Sequence, residues 1–290
     1  MMTIYKNNIA VIGGDLRQVY MANEFIEKGY SVKVYGLNSS LFSSNIKEAD
    51  SLKSALIDAE TVICPIPFTK NQNDILSLDL NIPINDLLQS LPENITIFGG
   101  NIPNFVKSYC EIKNIKTVDL MELNEVAMLN AIATAEGTIS EAITKSNINL
   151  HKSNCLILGY GRCGKVLAKK LKALDAYVYI AARSKDALIE AEAFGLECIN
   201  ISDLDSVLSQ FDFIINTIPS LVLSKEKLLE VSKSVVIIDL ASAPGGVDYK
   251  VAESLGIKAS LCPGLPGKYA PKTSGSILFK AIENIIKGSD

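Results

Sequence analysis

The sequence predicts an α/β protein built from two parallel sheets, and three observations carry that prediction. Short apolar runs recur along the chain, most of them followed by helical spacing, the alternation that yields parallel strands with crossover helices. Residues 154–184 show it most sharply. They hold an apolar run over 155–158, the glycines Gly159, Gly161 and Gly164, a helical stripe of Val166, Leu167, Leu171 and Leu174, and a second apolar run over 176–181. At 290 residues, 48% of them hydrophobic, the chain is long enough for two cores. The expected fold is therefore two Rossmann-like parallel-sheet domains joined by long helices.

In chain order, a strand over 8–12 ends in Gly13, Gly14 and Asp15, a helix covers 16–28, and a strand covers 31–35. This opening lacks the full glycine spacing and so carries no cofactor fingerprint. Strands at 61–64, 95–98 and 116–119 complete a first domain of residues 1–120, expected on the substrate side. Arg17 falls in the first turn of its helix, where a cation opposes the macrodipole by up to ~1 kcal/mol. Either it holds an anion past the C-terminal edge of the sheet, or it reaches back to Asp15. Asn101, after Gly99 and Gly100, ends a strand on the same edge and is a second candidate for the same cleft.

A helical pattern over 120–146 sets residues 121–148 apart as a bridge, with Leu123, Val126, Ile132, Ala135, Ile139 and Ile143 along one stripe. Gly137 costs this helix about 1 kcal/mol relative to alanine. Either a neighbour comes close to the backbone there, or the helix kinks.

Residues 149–270 form the nucleotide domain. Gly159 permits a tight strand-to-helix turn, Gly161 lets the backbone approach a pyrophosphate, and Gly164 lets the helix pack on its strand. Unpaired N–H groups at the helix start then receive the anion, with Tyr160, Arg162 and Cys163 between the glycines. At the end of the second strand, Ala182, Arg183, Ser184 and Lys185 stand where an NAD site usually has an acid for the ribose 2′-hydroxyl. A cation and a hydroxyl suit a 2′-phosphate and hence NADP, unless they only form a basic surface turn. The domain continues with strands at 197–200, 213–216, 235–240 and 258–261 and a helix at 203–209. Thr217, Ile218 and Pro219 end a buried strand where the nicotinamide half is expected.

A Gly- and Pro-rich loop with Lys268 then leads into a C-terminal helix, residues 271–290, which packs toward the bridge or the first domain through Ile277, Leu278, Ala281, Ile282, Ile285 and Ile286. Thr273 or Ser274 is its expected cap. Lys268 and Thr273 with that helix start make an anion site, unless the loop only ties helix to sheet.

Several function classes are excluded. A net charge of −4 gives no footprint for nucleic acid, and no apolar run reaches the roughly 18 residues of a membrane span. The opening MMTIYKNN has no signal-peptide pattern, so a cytoplasmic protein is expected. Six cysteines stand without metal-ligand spacing, which reads as small core residues in a reducing compartment and no metal site. His151, the one histidine, sits in a polar linker, and no catalytic residue is assigned.

The motifs VIGGDLRQ, LNAIATAEG, ILGYGRCGK, INTIP, DLASAPGG and PGLPGKYAPKTSG, in this order over almost the whole chain, resemble the dipicolinate synthase A-subunit family of spore-forming bacteria. TAEG, DLASAPGG and PGLPGKYAPKTSG are the specific ones; Ala133 departs from the pattern, which has proline there. The resemblance implies NADP-dependent oxidation of a dihydrodipicolinate to pyridine-2,6-dicarboxylate for sporulation. It also implies a partner, a flavoprotein-like B subunit, and leaves a homo-oligomer open. Aromatisation supplies driving force, so the enzyme works mainly by holding donor and acceptor carbons in contact, within reach of a chain with one histidine. The two substrate carboxylates need paired donors; Arg17, Asn101, Lys268 and Thr273 are the candidates. Two other readings keep the nucleotide domain: another two-lobed NADP-dependent dehydrogenase, shikimate-like or methylene-tetrahydrofolate-like, and an NADP-binding regulatory subunit without turnover. A 2-hydroxy acid dehydrogenase fits less well, because no histidine–carboxylate pair is visible.

Overall fold

The computed structural model describes residues 8–288 and divides into two compact units, one of residues up to 129 with those from 270 onward, the other of residues 130–269. The opening MMTIYKN and the last two residues of the expected C-terminal segment lie outside the described residues.

The first unit contains β1 (Asn8–Ile12), α1 (Leu16–Glu27), β2 (Ser31–Tyr35), β3 (Lys47–Glu48), α2 (Leu52–Leu56), β4 (Thr61–Ile63), β5 (Asp74–Ile75), β6 (Ile82–Pro83), α3 (Ile84–Ser90), β7 (Thr96–Gly99), α4 (Asn104–Ile112) and β8 (Lys116–Asp119). Helix α5 (Asn124–Lys145) begins in it and continues into the second unit. The second unit contains β9 (Asn154–Leu158), α6 (Arg162–Ala173), β10 (Tyr177–Ala182), α7 (Lys185–Ala193), β11 (Glu197–Asn200), β12 (Phe213–Asn216), α8 (Lys225–Glu230), β13 (Val236–Asp239), α9 (Tyr249–Ser254), β14 (Lys258–Leu261) and α10 (Leu265–Tyr269). The C-terminal helix α11 (Pro271–Lys287) returns to the first unit.

Each unit has a six-stranded, wholly parallel sheet, in the orders β3-β2-β1-β4-β7-β8 and β11-β10-β9-β12-β13-β14. The central strands read as unbroken apolar runs because both their faces are covered. In β9, Cys155 and Ile157 face one core with Leu167 and Leu171 of α6, while Leu156 and Leu158 face another with Leu228 of α8. In β1, Ile9 and Val11 share a core with Phe25 of α1 and with Leu278, Phe279 and Ile282 of α11. Phe25 and Phe279 meet edge-on with ring centroids 4.8 Å apart. A fully buried Leu, Ile or Phe contributes roughly 1.5–3 kcal/mol, so α11 is an integral part of the first unit's core.

The turn from β1 into α1 is covered by its own chain. Gly14 N–H donates to the Leu76 carbonyl at 2.8 Å, and Ser77 Oγ donates to the Gly36 carbonyl at 2.6 Å. Gly13, at φ +64°, has no room for a side chain, since a Cβ there would stand 2.6 Å from the Leu76 oxygen.

Four details differ from the sequence expectation. The segment 203–209 is not an α-helix; two 3₁₀ turns, Ile201–Ser206 and Leu208–Gln210, replace it. Asn200 Oδ1 accepts from Ser202 N–H at 3.1 Å and Ser206 Oγ donates to the Asp203 carbonyl at 2.9 Å, local bonds that compete with the helical ladder. The loop before the last helix contains the helical turn α10. Thr273 and Ser274 do not cap α11: Ala270 is the N-cap, and Pro271, with its fixed φ and no N–H to lose, takes the first position. The bridging helix starts at Asn124 instead of 120, because Asp119 Oδ1 accepts from Met121 N–H at 3.0 Å and turns the chain first. Ala133, where the family pattern has proline, lies inside α5. Among the described residues, no helix is long and apolar enough to cross a membrane, and no group of His, Cys, Asp or Glu could hold a metal ion.

Candidate nicotinamide-dinucleotide site

The head of α6 has the shape of a pyrophosphate cradle. Gly159 adopts φ +96°, and a Cβ on it would come within 2.5 Å of Thr217 Oγ1. A Cβ on Gly164 would collide with the Gly159 carbonyl, so turn and helix are in contact only because neither residue has a side chain. Gly161, the N-cap of α6, is exposed; a Cβ there would meet nothing within 4 Å, and no side chain caps the helix. Its first turn holds no acid and its last turn carries Lys170 and Lys172, so the charges leave the positive end of the macrodipole uncancelled. These residues fit a dinucleotide, whose phosphates the first N–H groups of the helix would receive.

The other residues expected at this site lie around the cradle. Tyr160 is buried beneath Lys165, whose Nζ stands 5.6 Å from the ring centroid and 2.7 Å from Glu190. Arg162 is exposed, and Cys163 is half-buried. Burial raises the Cys163 thiol against the opposing influence of Arg162 and a hydrogen bond with Thr134, so it is not a poised thiolate. Ala182 ends β10 in the core. Arg183 and Lys185 are exposed, and Arg183 makes no hydrogen bond or ion pair with any described residue. Ser184 caps α7, its Oγ accepting from Ala187 N–H at 3.3 Å. Thr217 Oγ1 donates to the Leu158 carbonyl at 2.8 Å, which pins the 217–219 turn to the end of β9 beside Gly159; Ile218 is half-buried and Pro219 exposed.

One buried group at this edge escaped the sequence reading. Asp239, the last residue of β13, is 0% exposed and accepts hydrogen bonds from Asn216 and Tyr249. The available signal was an acid ending an apolar run in DLASAPGG.

Of the residues expected to hold carboxylates, Arg17 and Lys268 are already engaged. Arg17 is 6% exposed; its Nε and Nη2 grip Asp15 at 2.9 and 2.7 Å, and Nη2 also donates to the Ile66 carbonyl. Burial of Asp15 opposes its ionisation, but Arg17, aided by Lys70, outweighs this and holds the carboxyl below its ordinary value. The contact with Asp15 is thus the one weighed from sequence. Asn101 is exposed at φ +54° on the same edge, its backbone N–H bound to Asp119. Ile66 packs between Arg17 and Gly100, and Gly275 of α11 abuts the Arg17 carbonyl, which brings the exposed Thr273 to this end of the first unit. In the second unit, Lys268 donates to the buried Glu141 at 2.6 Å, as does the Tyr269 hydroxyl at 2.7 Å. The Lys268 hydrogen bond, with those of Tyr269 and Lys145, outweighs burial and brings the Glu141 carboxyl down to about 2. His151 is exposed, with Nδ1 3.5 Å from Asp175, and precedes β9, the strand whose other end leads into the cradle.

Comparison with known proteins agrees with this geometry. Residues 8–121 match the N-terminal domain of the dipicolinate synthase A subunit, and residues 123–253 match the NAD-binding domain of D-isomer specific 2-hydroxyacid dehydrogenases. The chain is 34% identical over 284 residues to the dipicolinate synthase A subunit of Bacillus subtilis, covering 96% of this chain and 95% of that protein. The crystal structure of the dipicolinate synthase A subunit from Bacillus halodurans superposes with a TM-score of 0.89 at 32% identity, over 96% of this chain and 97% of that one. The crystal structure of its Bacillus subtilis counterpart gives 0.86 at 32% identity, over 99% and 97%. The second unit is thus a nicotinamide-dinucleotide domain of dehydrogenase type.

Proposed function

The chain belongs to the dipicolinate synthase A-subunit family, and on that premise we propose that it oxidises dihydrodipicolinate to dipicolinate, pyridine-2,6-dicarboxylate, during sporulation. The observation that carries this reading is the glycine cradle at the head of α6 in a chain whose first unit is of the dipicolinate synthase type. NADP is the cofactor of the reading, supported by Arg183, a cation with no carboxylate partner among the described residues, next to the Ser184 hydroxyl.

When bound, the nicotinamide would supply the hydride acceptor for oxidation of a substrate ring carbon, with a proton lost from a neighbouring position to leave the aromatic product. The first N–H groups of α6 receive the pyrophosphate, Arg183 and Ser184 the 2′-phosphate, and the 217–219 turn meets the nicotinamide half. The substrate carboxylates fall to Arg17, Asn101, Lys268 and Thr273. For Arg17 and Lys268 this is an exchange, in which a substrate carboxylate replaces Asp15 or Glu141. A flavoprotein-like B subunit is the proposed partner, and the cytoplasm the proposed location.

The test follows the absorbance of reduced cofactor after dihydrodipicolinate is generated in the presence of this chain, with NADP or NAD and with or without the B subunit. Reduction with NADP, faster than with NAD, is expected. No reduction with either cofactor, even with the B subunit, would favour a regulatory NADP-binding role.

A further inference from the structure

The ends of β12 and β13 are tied together by a group with no part in the chemistry above. The Asp239 carboxylate accepts from Asn216 Nδ2 at 2.8 Å, Ala241 N–H at 2.9 Å, Gly246 N–H at 2.6 Å and the Tyr249 hydroxyl at 2.7 Å. All four are neutral donors, so the orientation of the carboxylate is fixed from four directions. Asn216, also 0% exposed, passes the constraint on. The same Nδ2 donates to the Ile218 carbonyl at 3.0 Å, and its Oδ1 accepts from Ile218 N–H at 3.0 Å. One amide thereby shapes the turn that begins at Thr217.

We propose that Asp239 and Tyr249 are positioning residues for the nicotinamide end of the dinucleotide, acting through Asn216 to hold the 217–219 turn and the 240–246 loop in one arrangement. This rests on the assignment of that turn to the nicotinamide half. The turn stands against the cradle at Gly159, so a small displacement is felt at the cofactor. The loop has equally little freedom: a Cβ on Gly246 would clash with Asn216 Nδ2 and stand 2.8 Å from the Ser220 carbonyl. Burial, and then Asp239, raise the Tyr249 phenol above its ordinary value, which keeps it a donor. Removing it leaves a buried carboxylate one partner short and the Asn216 amide less well held.

Tyr249→Phe keeps the ring and deletes the donor. Calorimetry on the full chain with NADP and with 2′-phospho-ADP-ribose, which lacks the nicotinamide, separates the two ends of the site. NADP affinity should fall about five- to tenfold, the affinity for the fragment should stay within about twofold, and Asp239→Asn should show the same split more strongly. Equal loss for both ligands, or none for either, overturns the positioning role. A wild-type chain that binds the fragment as tightly as NADP overturns the assignment of the turn, and one that binds neither of these nor NAD overturns the dinucleotide site itself.

Discussion

Gly137 of α5 faces Leu265 of α10 so closely that a Cβ on the glycine would stand 3.0 Å from the Leu265 Cβ and 2.8 Å from Tyr269 Cδ2. The helix runs unbroken through this point, so the glycine serves the neighbour's approach and not a kink. Gly137→Ala gains about 1 kcal/mol of helix propensity but forces α10 to move, an overpacking cost of about 1–3 kcal/mol. The variant should melt at or below the wild-type temperature. A clearly higher melting temperature would mean that α10 yields without strain.

Arg183→Ala should weaken NADP binding by about 1.5–3 kcal/mol, the range for a hydrogen bond to a charged group, and leave NAD almost unchanged. Calorimetric titration with each cofactor measures this, and an equal loss for both would remove Arg183 from the 2′-phosphate.

The cradle glycines should separate binding from folding. Gly161→Ala meets no protein atom within 4 Å, so its melting temperature should hold while dinucleotide affinity drops. Gly164→Ala drives a side chain into the Gly159 carbonyl and should cost stability, of the order of 1–3 kcal/mol. Unchanged dinucleotide affinity in Gly161→Ala would place the phosphates elsewhere.

Glu141, held near 2 against an ordinary 4.5, adds stability that is complete above the unfolded value and lost as pH falls through the folded one. Wild type should therefore lose stability between pH 4.5 and 2 faster than Glu141→Gln. Denaturant midpoints across that range should converge at the acid end; parallel curves would show that Lys268 and Lys145 do not favour the ionised form.

Arg17→Lys keeps a charge but gives up the two-point grip on Asp15, so stability should fall by about 1.5–3 kcal/mol. An exposed arginine would have been neutral to stability. If Arg17 also takes a substrate carboxylate, the Michaelis constant for substrate should rise about tenfold with cofactor affinity intact. A lower melting temperature with an unchanged Michaelis constant would leave Arg17 only Asp15 and Ile66 as partners.

The sheets were legible because strands buried on both faces carry continuous apolar runs, and the cradle because its glycines are spaced by backbone geometry. Asp239 was not, since its partners Asn216 and Tyr249 lie 23 and 10 residues away and nothing local announces them. Helix α10 was hidden by Gly264, Pro266 and Gly267, which read as loop; Pro266 fits because it falls in the first turn, where a helix needs no N–H. The Arg17–Asp15 contact was visible as an alternative, two residues apart, but the choice between pair and ligand depended on burial, which only the fold supplies.

Two sheets of the same strand order invite the expectation of two dinucleotides on one chain. At the head of α6, Gly161 has open space on its Cβ side and no cap. At the head of α1, Leu76 presses on Gly13, and the Asp15 carboxylate already accepts from the first N–H groups. A titration should therefore end at one equivalent of cofactor per chain, with a hyperbolic isotherm for an isolated chain. A sigmoid curve from an assembled enzyme would then originate between chains and not within one.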